Sequence, residues 1–140
     1  MTKIDLTIYT SKQFNSQDIA EKFVELLEKY NLVPEKLGTF EPLKVAYSPD
    51  TFIQLWTDES DGCYEEGVGM VGKAGILLAK SKNPPYHFGM TWWNCPNMPK
   101  INHIGFIFAI KTFRSFEKQI VNLFKELIVY LMLYMRTSLT

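Results

Sequence analysis

Between residues 3 and 10, the apolar Ile4, Leu6 and Ile8 alternate with Asp5, Thr7 and Tyr9, the period of two that buries one face of a strand and leaves the other wet. The period then lengthens. Ile19, Phe23, Leu26, Leu27 and Tyr30 recur three or four residues apart with Glu21, Lys22, Glu25, Glu28 and Lys29 between them, which predicts an amphipathic helix capped by Asn15 or Ser16. Asn31 suits a left-handed stop, Pro34 follows, and residues 32–47 read as a connection holding one short strand near 36–40. Ser48-Pro49-Asp50 supplies a hydroxyl cap, a proline at the first helical position and an acid in the first turn. The short helix it starts buries Phe52, Leu55 and Trp56 and ends near residue 59.

Three strands are expected between residues 67 and 110. GKAGILLAK, residues 72–80, is an apolar run closed by Pro84-Pro85. In residues 86–94, Phe88, Met90 and Trp92 face the core while His87, Gly89, Thr91 and Trp93 face away. After the proline-rich CPNMPK connection, Ile104, Phe106, Phe108 and Ile110 form one face of the third strand, and His103, Gly105, Ile107 and Ala109 the other. Because that second face is also small or apolar, the strand is predicted to be central, with packing on both sides. Ser115 caps a last helix whose stripe is Phe116, Ile120, Leu123, Phe124, Leu127, Ile128, Leu131 and Met135. From Leu127 its polar face nearly vanishes, so these turns call for cover from the domain core or from a second protomer in a homodimer. The expected fold is α+β, a single domain over residues 1–140 with an antiparallel sheet of four to five strands flanked by helices, in the order β-α-(β)-α-β-β-β-α.

With 46% hydrophobic and 14% aromatic residues in 140, the chain can build an ordinary core without staples. Its most apolar run, residues 127–135, is too short to span a bilayer, and the first residues lack the apolar centre of a leader peptide. A cytoplasmic protein with no membrane partner is expected. There Cys63 and Cys95, without CxxC spacing, are expected to be free thiols.

Charge changes the picture more than composition does. The net charge is zero, yet residues 1–70 hold 6 Lys against 13 acids, a net of −7, and residues 71–140 hold 9 Lys and Arg against 2 acids, a net of +7. The densest feature is the group Asp58, Glu59, Asp61, Glu65 and Glu66, with no base among them. Such a run is either a solvated loop or an acidic contact surface for a basic partner. Trp92 and Trp93 must point to opposite faces of their strand; Trp93, opposite the Phe88 and Met90 face, is the expected exposed member and a candidate contact residue.

Other chemistries find less support. GVGMVGK, residues 67–73, satisfies GxGxxG and nearly a phosphate loop, but acids precede it, Ala74 stands where a hydroxyl is needed, and a strand follows it in place of a helix. Its glycines fit a hairpin turn, a bulge or the close approach of a neighbouring backbone. His87, Cys95 and His103 lie eight residues apart, which lacks the short local pairs typical of zinc ligation. A small enzyme with a pocket at the sheet edge using these three residues is the alternative in the enzyme class, but Pro96 follows the cysteine in a turn and no helix N-terminus lowers its pKa. The basic residues are scattered and only two are Arg, which disfavours nucleic acid. No cofactor, metal or catalytic residue is expected.

The order of strand, helix, PEKLGTFEPL connection, short helix ending in FIQLWTDES, glycine-rich hairpin, aromatic strand HFGMTWWN, further strand and final helix resembles the small α+β immunity proteins encoded beside bacterial polymorphic toxins. That resemblance implies neutralisation of a cognate protein toxin by direct binding, without catalysis. The assignment of Asp58, Glu59, Asp61, Glu65, Glu66 and Trp93 as the contact residues comes from charge and exposure, not from the resemblance.

Overall fold

The computed structural model describes residues 2–59, 61–96 and 101–138, with side chains described through residue 134. Its chain order is β1 (Lys3–Thr10), α1 (Gln17–Lys29), β2 (Lys36–Gly38), β3 (Val45–Ala46), α2 (Pro49–Thr57), β4 (Asp61–Glu65), β5 (Gly69–Lys82), β6 (Pro85–Asn94), β7 (Asn102–Ala109), α3 (Ile110–Ser115) and α4 (Glu117–Ser138). The α+β class is as expected, and the strands pair antiparallel throughout. The sheet has seven strands, two more than the upper expectation, in the order β1-β7-β6-β5-β2-β3 with β4 also on β5. The extra strands are the short β3 and the acidic segment β4.

Local sequence chemistry starts and stops the helices where it should. Ser16 Oγ accepts from Ile19 N–H, and Ser48 Oγ accepts from Thr51 N–H at 3.1 Å with Pro49 at the first helical position. Asn31 takes φ 54°, the left-handed stop after α1. The last helix departs from expectation. Ile110 leaves β7 and opens α3, and Ser115 donates to the Lys111 carbonyl instead of capping α4.

All the main helices pack on one face of the sheet. Phe88, Met90 and Trp92 of β6 and Ile104, Phe106 and Phe108 of β7 are buried there, 4% exposed or less. Against them lie Phe23 of α1, its ring centroid 5.1 Å from that of Phe88, and Trp56 of α2, stacked on Phe88 at 6.3 Å. Trp56 also donates to the Phe14 carbonyl at 2.7 Å, so the one polar atom of this buried indole is satisfied. Ile120, Leu123, Leu127 and Leu131 of α4 complete the core. Helix α4 runs antiparallel along α1: Glu126 accepts from Lys29 at 2.9 Å and from the Tyr30 hydroxyl near one end, and Tyr134 bonds Ser16 near the other. These two bonds hold the Glu126 carboxyl below its ordinary range, the Tyr30 bond contributing most.

The opposite face of the sheet is open. β7 is an internal strand, next to the edge strand β1, but the expectation of packing on both its sides fails: His103, Gly105 and Ala109 are half-buried and Ile107 is exposed. The small and apolar composition of this face therefore does not mark an interior. Among the described residues no helix is long and apolar enough to cross a membrane.

Candidate functional site

The five acids converge on one end of the sheet. Asp58 and Glu59 follow α2, and what the sequence suggested was a loop is the strand β4, paired to β5 with Asp61 opposite Ala74 and Glu65 opposite Gly69. Asp58, Glu59, Asp61, Glu65 and Glu66 are all exposed. A base does reach this group: Lys73 of β5 pairs with Glu59 at 2.6 Å. At the tip, Val68 N–H closes the turn on the Glu65 carbonyl, and Gly67 and Gly69 take φ 80° and 103°, a conformation that favours glycine. Tyr64, Val68 and Met70 are 71%, 69% and 54% exposed on the same hairpin. Acid and exposed apolar side chains thus share one projecting ribbon.

This ribbon is anchored by a bond the sequence did not reveal. Cys63 and Cys95 form a disulfide, Cα to Cα 5.9 Å, inside the range that the bond requires. The expectation of free thiols is overturned because β4, once paired, delivers Cys63 beside the end of β6. Gly72 permits the approach: a Cβ there would lie 2.3 Å from the Asn94 carbonyl oxygen and 2.8 Å from the Cys95 Cα. The GVGMVGK glycines accordingly serve a turn and a close backbone approach, two of the roles expected of them.

Trp92 is buried, 1% exposed, and Trp93 is half-buried on the open face, where its backbone N–H donates to Asn102 Oδ1 at 2.7 Å. Trp93 stands opposite Ala74, which in turn stands opposite Asp61. It therefore borders the acidic strand across β5, though with less exposed surface than expected.

The open face also holds a depression of about 200 Å³ between β1, β7 and β6. Register builds it row by row. The middle row is Thr7, Gly105 and Gly89; one flanking row is Tyr9, His103 and Thr91, the other Asp5, Ile107 and His87. Two glycines side by side leave a low floor between two ridges. His87 and His103 both line this depression, but from opposite ridges, and Cys95 is tied to Cys63 and does not join them. Among the described residues no three His, Cys, Asp or Glu side chains are grouped to hold a metal. Residues 97–100 of the CPNMPK connection lie outside the described residues.

One signal in the sequence could have disclosed more. Glu-Glu-Gly-Val-Gly before an apolar strand is a hairpin turn, which would have placed a partner strand over residues 61–65. The Gly89 and Gly105 pairing depends on register between strands and had no local trace. No family model, no curated protein and no solved structure matches the chain.

Proposed function

We propose that this chain is a non-catalytic binding protein that presents the β4–β5 hairpin to a basic protein partner. The observation that carries the reading is the hairpin itself: exposed acids and the exposed Tyr64, Val68 and Met70 share one ribbon pinned by the Cys63–Cys95 bond. An apolar centre with a charged surround is how protein interfaces combine affinity with orientation, and opposite charge speeds encounter. Pinning the ribbon lowers the ordering cost on binding. The layout resemblance to immunity proteins supports a toxin as that partner, neutralised by occlusion. The disulfide weighs against a permanently reducing compartment; in a reducing cytoplasm the ribbon would be held by its strand pairing to β5 alone.

The test is affinity capture of the tagged chain co-expressed with the products of its neighbouring genes, beside a variant with Asp58, Glu59, Asp61, Glu65 and Glu66 changed to Ser or Gln. A partner retained by the native chain and lost by the variant supports the reading. Recovery of no partner by either chain removes it.

A second reading, self-association through α4, is favoured by the exposed Val129, Met132 and Leu133. Sedimentation of a Val129→Ser, Met132→Ser variant tests it: a dimer that becomes a monomer supports this reading, and a native chain that is already monomeric excludes it.

A further inference from the structure

We propose that the glycine-floored depression on the open sheet face is a cation subsite that takes the guanidinium of an arginine carried by the basic partner; the source of that arginine rests on the binding reading above, the subsite itself does not. The floor is the Gly105–Gly89 pair, and the two ridges stand four residues apart along the strands, roughly 13 Å at about 3.3 Å per residue. A slot of this shape admits a flat group laid on the sheet and excludes nothing larger at its open side.

The lining selects the sign of the charge. Asp5 is its only Asp or Glu, and it contains neither Lys nor Arg. Among the described residues no ion pair involves Asp5; its Oδ1 accepts from the Thr7 hydroxyl, which orients the carboxylate and leaves Oδ2 for a ligand. Four residues further along the same edge strand, with Thr7 between them, stands an aromatic ring. Tyr9 is 70% exposed and tilted against His103, ring centroids 6.3 Å apart. A carboxylate at one ridge and an exposed phenol ring at the other are the two groups that recognise a planar, delocalised cation, through forked hydrogen bonds and through the ring face. A compact ammonium can use both groups but lacks the planar fork that matches the carboxylate and lies flat on the ring. The hydroxyl of Thr7 and the imidazoles of His87 and His103 add polar edges within the same slot.

The probe is N-acetyl-L-arginine amide, titrated into isotopically labelled protein at constant ionic strength while the backbone amides of Thr7, Gly89 and Gly105 are followed by NMR. Saturable shifts at these amides are expected, with N-acetyl-L-lysine amide binding more weakly and inorganic phosphate producing none. Asp5→Asn, an exposed position whose new carbonyl still accepts from Thr7, should weaken the arginine probe about tenfold or more, and Tyr9→Leu should weaken it by a smaller factor. The variant with the five hairpin acids neutralised should bind the probe as the native chain does, which separates this subsite from the hairpin reading. Non-saturating shifts, equal binding by Asp5→Asn, or phosphate moving the same amides would overturn the proposal. If the probe binds but Asp5→Asn still retains the partner in full, the subsite stands and its assignment to the partner's arginine falls.

Discussion

The two faces of the sheet are made from the same strands, yet they differ in almost every physical respect. On the helix-covered face, Phe88, Phe106, Phe23, Phe52 and Trp56 form a continuous aromatic cluster in which every ring touches another. On the open face, the residues of β6 and β7 around the depression are two glycines, two histidines, a threonine and an isoleucine, bordered by β1 side chains, of which Asp5 and Tyr9 are exposed. Stability resides in the first face, while the second is free to carry recognition, because substitutions there remove little buried area. Strand alternation alone creates both faces; the helices decide which one becomes interior.

The sharpest way to break the comparison is Trp56→Ala. This indole is fully buried, stacks on Phe52 and Phe88, and satisfies the Phe14 carbonyl, so its loss should cost about 3–5 kcal/mol in chemical denaturation. A loss below 1 kcal/mol would mean that the covered face is not the stabilising one. Next in size is reduction of Cys63–Cys95, a bond across a sequence separation of 32. Loop-closure entropy predicts a loss of about 3–4 kcal/mol, measured as the shift in urea midpoint with and without reductant. An unchanged midpoint, together with two thiols titrating in the native chain, would show that the hairpin is held by strand pairing alone.

A third test uses pH on the covered side. Burial, followed by the nearby Glu28 charge, pushes the Tyr47 phenol from its ordinary 10.0 up to about 12, and burial also raises Tyr86. Because the folded value exceeds the unfolded one, the neutral phenol's contribution is complete below pH 10 and is lost as pH rises toward 12. Ultraviolet titration should show a tyrosine class ionising near pH 12 that disappears in Tyr47→Phe; an ordinary value for every tyrosine would sink the assignment. The smallest expected effect belongs to the open face. Ile107→Thr, at a position 39% exposed, should shift stability by no more than about 0.5 kcal/mol. A loss of several kcal/mol would reveal that this face is covered in solution.

Much of the fold was legible because the interactions that set it are short-ranged. Ser16 and Ser48 bond amides three residues away, Asn31 turns the chain by its own conformation, and alternation in residues 86–94 places Phe88, Met90 and Trp92 inward without reference to anything distant. The candidate site was legible only in part. The five acids and Trp93 could be chosen from charge and position, but the lysine that reaches Glu59 comes from another strand. The composition of His103, Gly105, Ile107 and Ala109 pointed to a second buried layer for the same reason, since small apolar residues suit either a covered face or a shallow floor.

From the sequence alone came the α+β class, the starts of α1 and α2, the inward faces of the strands and the clustering of acid before the glycine-rich hairpin, all consequences of spacing within a few residues. The tertiary structure alone decided that the acidic segment is a strand, that Cys63 meets Cys95, and that His87 and His103 share a slot over Gly89 and Gly105. Each of those depends on the register between strands distant in the chain. Register is settled by the summed burial of an entire face, which no local stretch of residues contains.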